Sequence, residues 1–254
     1  MNYYITLALV LFVCMSLWFV FSLIKKRNDV ADVAWGVGFV LMAWTSLFLS
    51  NDFGLRSVLI NILVSVWGLR LAWHIHTRNK GKTEDYRYEA WRKEWGSFFY
   101  IRSYFQVYLL QGLLLFLIVS PVLVINKSYN SSVGFLDLVG VLVWLFGFYF
   151  EVVGDAQLAR FIKNPENKGK LMQSGLWAYT RHPNYFGEVT LWWGVWLVAL
   201  SVPNGIYAII GPLTITFLIL KVSGIPLLEK KMEENPDFQE YKSRVSMFIP
   251  LPRK

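Results

Sequence analysis

Hydrophobic residues lie along this chain in runs of about 20, the length that an α-helix needs to cross roughly 30 Å of hydrocarbon. Charged and turn-forming residues separate the runs. The pattern predicts seven membrane-spanning helices, and with them an all-α polytopic membrane bundle. Little more than Pro203-Asn204 separates the last two spans, which predicts a tight helical hairpin. The predicted spans are residues 3–24, 31–50, 57–76, 103–125, 135–155, 186–202 and 205–222.

The basic residues are distributed unevenly between the loops. Of the 25 Lys and Arg residues, 21 lie in four segments on one side of the predicted membrane, whereas the alternate loops contain only Arg56 and Lys127. Because basic loops stay in the cytoplasm, we expect the N-terminus outside and the C-terminus in the cytoplasm. The four segments are residues 25–30, 77–102, 156–185 and the tail from residue 223.

Composition excludes several classes of function. The net charge of +8 is explained by this topology, and we expect no nucleic-acid partner. The single cysteine, Cys14, leaves no intrachain disulfide and no zinc site built on thiolates. The three histidines follow no metal-binding spacing, so no metal site is expected. The chain has no internal repeat or low-complexity linker, which predicts one membrane domain over residues 1–254.

Several ionisable residues lie in the predicted spans or at their ends, although such a group costs about 2.5–3.5 kcal/mol at the centre of a membrane helix. The predicted topology places all of them near the cytoplasmic face, which favours one polar pocket that opens to the cytoplasm. For Arg70 and Lys221, simple interfacial charges with long side chains reaching water remain an equal alternative. The residues are Asp32, Arg70, His74, Glu151, Asp155, Glu188 and Lys221.

Two pairs of polar residues have the spacing of one helix face. Glu151 and Asp155 are four residues apart, as are Asn184 and Glu188. Their acceptors and amide donors suit an amide, a ribose or a purine edge. Hydrogen bonding between helices is the structural alternative.

The stretch from Gly175 to Glu188 reads as a loop that enters a helix. Pro183 suits the first helical turn, where its missing N–H costs nothing. Free backbone N–H groups at that helix start, together with Arg181 and His182, predict an anion site. The alternative is that Arg181 serves only as one of the basic residues that keep this loop in the cytoplasm.

These motifs resemble the membrane family of steroid 5α-reductases and its bacterial relatives, including the DUF1295 subgroup. The Arg181-His182-Pro183-x-Tyr185 core alone is less specific, because isoprenylcysteine and phospholipid methyltransferases of the same superfamily carry a similar one. The resemblance rests on Glu151-x-x-x-Asp155, Lys163-Asn164-Pro165, Gly175 to Glu188, the tail from Lys221 to Pro250, Asp32-Val-Ala-Trp35-Gly36 and the segment from Arg78 to Tyr88.

The resemblance implies a seven-helix bundle that binds NADPH from the cytoplasmic side and reduces a carbon–carbon double bond. It places the substrate on helices 1–4, residues 1–125, and the cofactor on helices 5–7 and the tail, residues 126–254. Three positions depart from the reductases: Glu151 replaces an Asn, Lys221 an Arg and Leu228 a Tyr. The cofactor-binding residues it implies are Glu151, Asp155, Lys163, Tyr179, Arg181, His182, Asn184, Tyr185, Glu188 and Lys221.

On the substrate side the resemblance is looser. Aligning a family Arg with Arg70 puts Trp67 where the reductases have a Tyr. Asp32, or another acid near it, could replace the Gln-Glu pair that the reductases have on their second helix. We therefore expect Asp32, Arg70 and Trp67 to act on a lipid-soluble enone, without inferring a steroid. The subgroup resemblance suggests a bacterial inner membrane, although an endoplasmic reticulum protein has the same charge bias.

Two other functions stay open from the sequence. A methyltransferase that uses S-adenosylmethionine also needs an anion site and ribose acceptors, and a membrane scaffold without catalysis needs neither. The Glu151/Asp155 face and the long basic loop 156–174 suit a larger and more anionic dinucleotide, which favours the reductase. The sequence carries no signal for an oligomeric state.

Overall fold

The computed structural model describes residues 2–128 and 132–253, and within them the regular structure is helical. Two segments have π-helical hydrogen bonding, Ser103–Leu109 and Leu218–Val222. The α-helices are α1 (Tyr3–Lys25), α2 (Val30–Ser50), α3 (Leu55–Asn79), α4 (Tyr86–Trp95), α5 (Phe99–Arg102), α6 (Leu110–Ile118), α7 (Ser120–Lys127), α8 (Phe135–Lys163), α9 (Pro183–Ala199), α10 (Ile210–Phe217), α11 (Ile225–Met232) and α12 (Asp237–Arg244).

Six helices of the described chain are long and apolar enough to cross a membrane, which confirms the predicted all-α membrane protein. They correspond to α1, α2, α3, α8 and two composite helices, Tyr86–Ile118 and Gly205–Met232. The predicted span 186–202 is corrected to α9, which begins at Pro183 and has only 17 residues, about 25 Å of helix. It ends before Pro203 and before Asn204, whose φ of 63° lies in the left-handed region.

Residues 77–102, expected as a loop, are partly helical. Asp85 accepts a hydrogen bond from the backbone N–H of Arg87 at 3.0 Å and so caps the start of α4. The composite helix Tyr86–Ile118 then includes the predicted span from residue 103 as far as Ile118. The rest of that span forms α7, which follows a break at Val119.

The chain divides into two compact units. The first comprises residues 1–133 and 202–208, and the second comprises residues 134–201 and 209–254. The expected assignment of residues 1–125 to the substrate and of residues 126–254 to the cofactor stays a prediction. That the two units form one membrane domain stays a prediction.

In the first unit, α2 and α3 approach closely where Gly36 meets Gly68. A Cβ added to Gly68 would lie 2.7 Å from the carbonyl oxygen of Gly36, so both positions need the smallest residue. Farther along, the amide of Asn126 donates to the hydroxyl of Ser46 at 2.6 Å, and the amide of Asn61 donates to Asn126 Oδ1 at 2.8 Å. Buried hydrogen bonds of this kind join helices in an apolar environment.

In the second unit, α8 and α9 pack along a seam of glycines spaced seven residues apart. Seven residues are close to two helical turns, so Gly140, Gly147 and Gly154 share one face of α8. A Cβ on Gly147 would lie 2.5 Å from the backbone nitrogen of Leu191, and one on Gly194 would lie 2.6 Å from that of Trp144. This close packing brings the end of α8 that carries Asp155 next to the start of α9 that carries Asn184.

Candidate functional site

The two polar pairs predicted from their spacing lie on facing helices of the second unit. Asn184 Nδ2 in the first turn of α9 donates to Asp155 Oδ1 on α8 at 3.0 Å. The contact follows from the last glycine of the seam, since a Cβ on Gly154 would lie only 3.2 Å from the backbone nitrogen of Asn184. Asp155 is buried and Asn184 is half-buried.

Glu151 and Glu188 lie one turn deeper than this pair on their respective helices. Glu151 is buried, and its Cβ would be 2.9 Å from a Cβ on Gly187. Glu188 follows Asn184 by one turn and is half-buried. Three carboxylates and one amide therefore occupy adjacent turns of α8 and α9. Such a set prefers hydroxyl and amide donors and repels phosphate.

The loop before α9 is fixed to α8 by two hydrogen bonds. Trp177 Nε1 donates to the carbonyl oxygen of Gly154 at 3.1 Å, and the backbone N–H of Leu176 donates to Gln157 Oε1 at 3.0 Å. α9 then begins at Pro183, directly after His182. These bonds bring the helix start against the turn that carries Asp155.

Arg181 and His182 are buried and contact the tail, residues 223–253. Arg181 Nε donates to Glu229 Oε1 at 2.7 Å, and His182 Nε2 lies 3.2 Å from the same oxygen. Arg181 Nη1 donates to the carbonyl oxygens of Val245 at 2.6 Å and Lys242 at 3.2 Å. Nε and Nη1 of Arg181 and Nε2 of His182 thus contact groups of the protein itself, and the predicted anion site stays a prediction.

Sequence reasoning missed Glu229 because it lies 48 residues from Arg181 along the chain. The only signal is its position in the amphipathic segment that follows the last span. In a sequence, such a glutamate is indistinguishable from a solvent-exposed one.

A second part of the tail runs beside the segment that leads to α9. The backbone N–H of Arg181 donates to the carbonyl oxygen of Ser246 at 2.9 Å, and the hydroxyl of Thr180 donates to that of Phe248 at 2.8 Å. The hydroxyl of Tyr241 donates to the carbonyl oxygen of Trp177 at 2.7 Å. Burial raises the pKa of Tyr241, which keeps the hydroxyl protonated as this bond requires.

The other cofactor candidates lie at the edge of this region. Lys163 at the end of α8, Tyr179 and Lys221 are exposed, whereas Tyr185 stacks on His182 with ring centroids 5.8 Å apart. The ten predicted cofactor residues thus fall into three sets. The first is the polar set of Glu151, Asp155, Asn184 and Glu188, the second is Arg181 and His182 with Tyr185 stacked on His182, and the third is the exposed residues Lys163, Tyr179 and Lys221. Their role in binding a cofactor stays a prediction.

Asp32, a substrate-side candidate in the first unit, is engaged in an ion-pair network. It accepts hydrogen bonds from Arg87 Nη2 and from the hydroxyl of Tyr88, both at 2.7 Å. Arg87 also binds Asp85, with Nε 2.9 Å from Oδ1. Arg87 and Tyr88 belong to the segment from Arg78 to Tyr88, which contributed to the sequence-based prediction only as part of the family resemblance.

Trp67 lies farther along the pair of α2 and α3 than Asp32 does. Trp67 is fully buried and packs edge-on against Phe39 with ring centroids 5.1 Å apart, and Arg70 is half-buried three residues later on α3. Seven residues of α2 separate Asp32 from Phe39, which is about 10 Å along the helix axis. Trp67 therefore lies well away from Asp32 along the helix pair, and the role of all three candidates in binding a substrate stays a prediction.

One family model matches most of the chain. The family model described as "Protein of unknown function (DUF1295)" matches residues 18–245. An uncharacterized protein of Schizosaccharomyces pombe is 24% identical over 267 residues, which cover 92% of this chain and 75% of that protein. The 3-oxo-5-alpha-steroid 4-dehydrogenase 1 of Bos taurus is 33% identical over 72 residues, 28% of each chain. No solved structure matches.

Proposed function

Since this chain belongs to the DUF1295 family and shares a segment with a steroid dehydrogenase, which suggests a membrane reductase, we propose that it reduces a carbon–carbon double bond with NADPH. The substrate would be lipid-soluble, with the double bond conjugated to a carbonyl.

The observation that carries the proposal is the hydrogen-bonded pair of Asp155 and Asn184, with Glu151 and Glu188 one turn away. This set offers acceptors to ribose hydroxyls and both acceptor and donor groups to a carboxamide, so its chemistry fits the uncharged parts of the cofactor. Exposed Lys163 and Lys221 supply the positive charge that the phosphates need.

In the proposed reaction, NADPH supplies a hydride when it is bound. Asn184 holds Asp155 in position, and the buried carboxylates orient the hydroxyl groups that bind to them. Arg181 and His182 position the start of α9 because Arg181 Nε and Nη1 and His182 Nε2 contact Glu229 and the backbone of the tail. Asp32, Arg70 and Trp67 remain our candidates for contacts with the substrate, and a donor at the carbonyl oxygen would stabilise the developing enolate.

A binding experiment tests the cofactor. The full-length protein in detergent is titrated with NADPH and separately with S-adenosylmethionine, and thermal unfolding is followed. Saturating binding stabilises the folded state by about 2.7 kcal/mol at a ligand concentration of 100 Kd. We expect stabilisation by NADPH. Stabilisation by S-adenosylmethionine alone would establish the competing methyltransferase function instead.

The site is tested with a matched pair of substitutions. Asp155→Asn should weaken NADPH binding at least tenfold, because it removes the charged acceptor from the hydrogen-bonded pair. Asp237→Asn makes the same chemical change at an exposed position in α12 and should leave the affinity unchanged. Equal affinities of the two variants would contradict the assignment of this site.

A further inference from the structure

We infer that Glu229 and Tyr241 in the tail are positioning residues that set the distance between Asp155 and Asn184, and through it the affinity for the cofactor. The inference rests on the proposed function and deepens it. Neither residue contacts Asp155 or Asn184 directly in the hydrogen bonds described above. Each acts through one intermediate group, and the two routes reach the pair from opposite helices.

The first route leads to α9. Glu229 binds Arg181 Nε at 2.7 Å and lies 3.2 Å from His182 Nε2, so one carboxylate oxygen holds two consecutive residues. Asn184 comes two residues after His182, in the first turn of the helix. Because a helical turn is rigid, fixing the residues before Pro183 also fixes the direction of the Asn184 side chain.

The second route leads to α8. The hydroxyl of Tyr241 donates to the carbonyl oxygen of Trp177 at 2.7 Å, and Trp177 Nε1 donates to the carbonyl oxygen of Gly154 at 3.1 Å. Gly154 directly precedes Asp155. Tyr241 in α12 thus holds the backbone beside Asp155. Glu229 in α11 holds the backbone beside Asn184.

The geometry of the pair leaves little tolerance. Asn184 Nδ2 and Asp155 Oδ1 are 3.0 Å apart, and a hydrogen bond is lost beyond about 3.5 Å. A displacement of the α9 start by a few tenths of an ångström would therefore weaken the pair without unfolding the helices. This makes the affinity for the cofactor sensitive to tail residues that lie outside the polar set.

A double-mutant cycle separates positioning from general stabilisation. NADPH binding to the full-length protein in detergent is measured by cofactor fluorescence for wild type, Glu229→Gln, Asn184→Ala and the double variant. If Glu229 acts through Asn184, Glu229→Gln should raise Kd about tenfold in the wild-type background and less than twofold in the Asn184→Ala background. Equal factors in both backgrounds would overturn the inference.

The control is Glu233→Gln, the same chemical change at a half-exposed tail residue that pairs with Lys242. It should leave Kd within twofold of wild type, and a rise as large as that of Glu229→Gln would also overturn the inference. If Glu229→Gln does not yield folded protein, Tyr241→Phe replaces it in the cycle. That variant removes only the hydroxyl that reaches Trp177.

Hydrogen exchange of the protein without ligand distinguishes failure of this inference from failure of the proposed function. Glu229→Gln should accelerate amide exchange in residues 179–188 at least fivefold over Glu233→Gln. If wild type binds no NADPH but this difference is present, the tail positions the pair and the cofactor assignment is wrong. If exchange is the same in both variants, the positioning role is wrong whatever the protein binds.

Discussion

At the scale of single residues, four side chains of the first unit form one ion-pair and hydrogen-bond network. Arg87 binds both Asp32 and Asp85, and Tyr88 donates a second hydrogen bond to Asp32. Burial acts to raise the pKa of Asp85, but the hydrogen bonds and the charge of Arg87 outweigh it and hold the pKa below its usual value. The carboxylate of Asp85 is therefore more favourable in the folded than in the unfolded chain.

This pairing predicts an acid-dependent loss of stability. A depressed folded pKa contributes stability above the unfolded value of about 3.9, and that contribution disappears as pH falls through the folded pKa. Wild type should exceed Asp85→Asn by about 0.5–1 kcal/mol at pH 6. This advantage should shrink as pH falls from about 3.9 through the folded pKa. Thermal unfolding of both proteins at pH 6 and at successively lower pH values below about 3.9 provides the measurement. An advantage that grows with acid would contradict the sign.

Single residues also show which contacts of the site could be predicted from the sequence and which could not. Spacing alone identified Asp155 with Glu151 and Asn184 with Glu188, because four residues along a helix always share a face. Spacing carries no information on partners in distant segments. The contacts of Arg181 with Glu229 and of Asp32 with Tyr88 join positions 48 and 56 residues apart, and only the folded chain reveals them.

At the scale of elements, long apolar runs explain which helices were predicted well. α1, α2 and α3 each contain such a run, and their bounds agree with the predicted spans to within three residues. α4 carries charges between its aromatic residues and has no apolar run, so it was expected as part of a loop. α9 was displaced by three residues because its start is set by Pro183 and the polar turn of the site.

The glycine seam between α8 and α9 gives an element-scale prediction. Gly147→Ala would place a Cβ 2.5 Å from the backbone nitrogen of Leu191, so the helices must separate. We expect a loss of roughly 1–3 kcal/mol in unfolding free energy together with weaker NADPH binding, because the Asp155–Asn184 contact depends on the same seam. Chemical denaturation and cofactor titration measure the two effects.

Gly134→Ala is the matched control, since an added Cβ there would have only the Asp137 carboxylate as a neighbour, at 4.0 Å. Because Gly134 is the N-cap of α8, where Ala is less favourable than Gly, the change should cost at most about 1 kcal/mol of unfolding free energy and should leave NADPH binding unchanged. If Gly147→Ala behaves like this control, the close approach of α8 and α9 is not essential for the fold or the site.

At the scale of the whole molecule, the number of membrane crossings decides where the two termini lie. In the described part of the chain six helices are long and apolar enough to cross, and six crossings alone would leave both termini on one side. The basic loops instead predict the N-terminus outside and the tail in the cytoplasm, which requires an odd number. The topology therefore depends on whether α9, with its 17 residues, crosses as a seventh helix.

Contacts within the second unit favour a crossing by α9. His182, directly before α9, contacts Glu229 in α11. After α10, the chain therefore comes back to the level at which α9 begins. Trp193 Nε1, in the middle of α9, donates to Thr216 Oγ1 in α10 at 3.2 Å. α9 and the helix after it thus form a hairpin whose two ends meet, and if that helix crosses the membrane, α9 must cross as well.

Cysteine labelling tests this topology. In a Cys14→Ser background, Asn2→Cys and Ser243→Cys each introduce one exposed thiol, at the N-terminus and in α12. A membrane-impermeant maleimide should label Asn2→Cys in right-side-out vesicles and Ser243→Cys only in inverted ones. Labelling of both from the same side would require an even number of crossings. Because the tail contacts the residues before α9, labelling of Ser243→Cys from outside would also place the Asp155–Asn184 pair on the external side, away from the cytoplasmic NADPH that the proposed function requires.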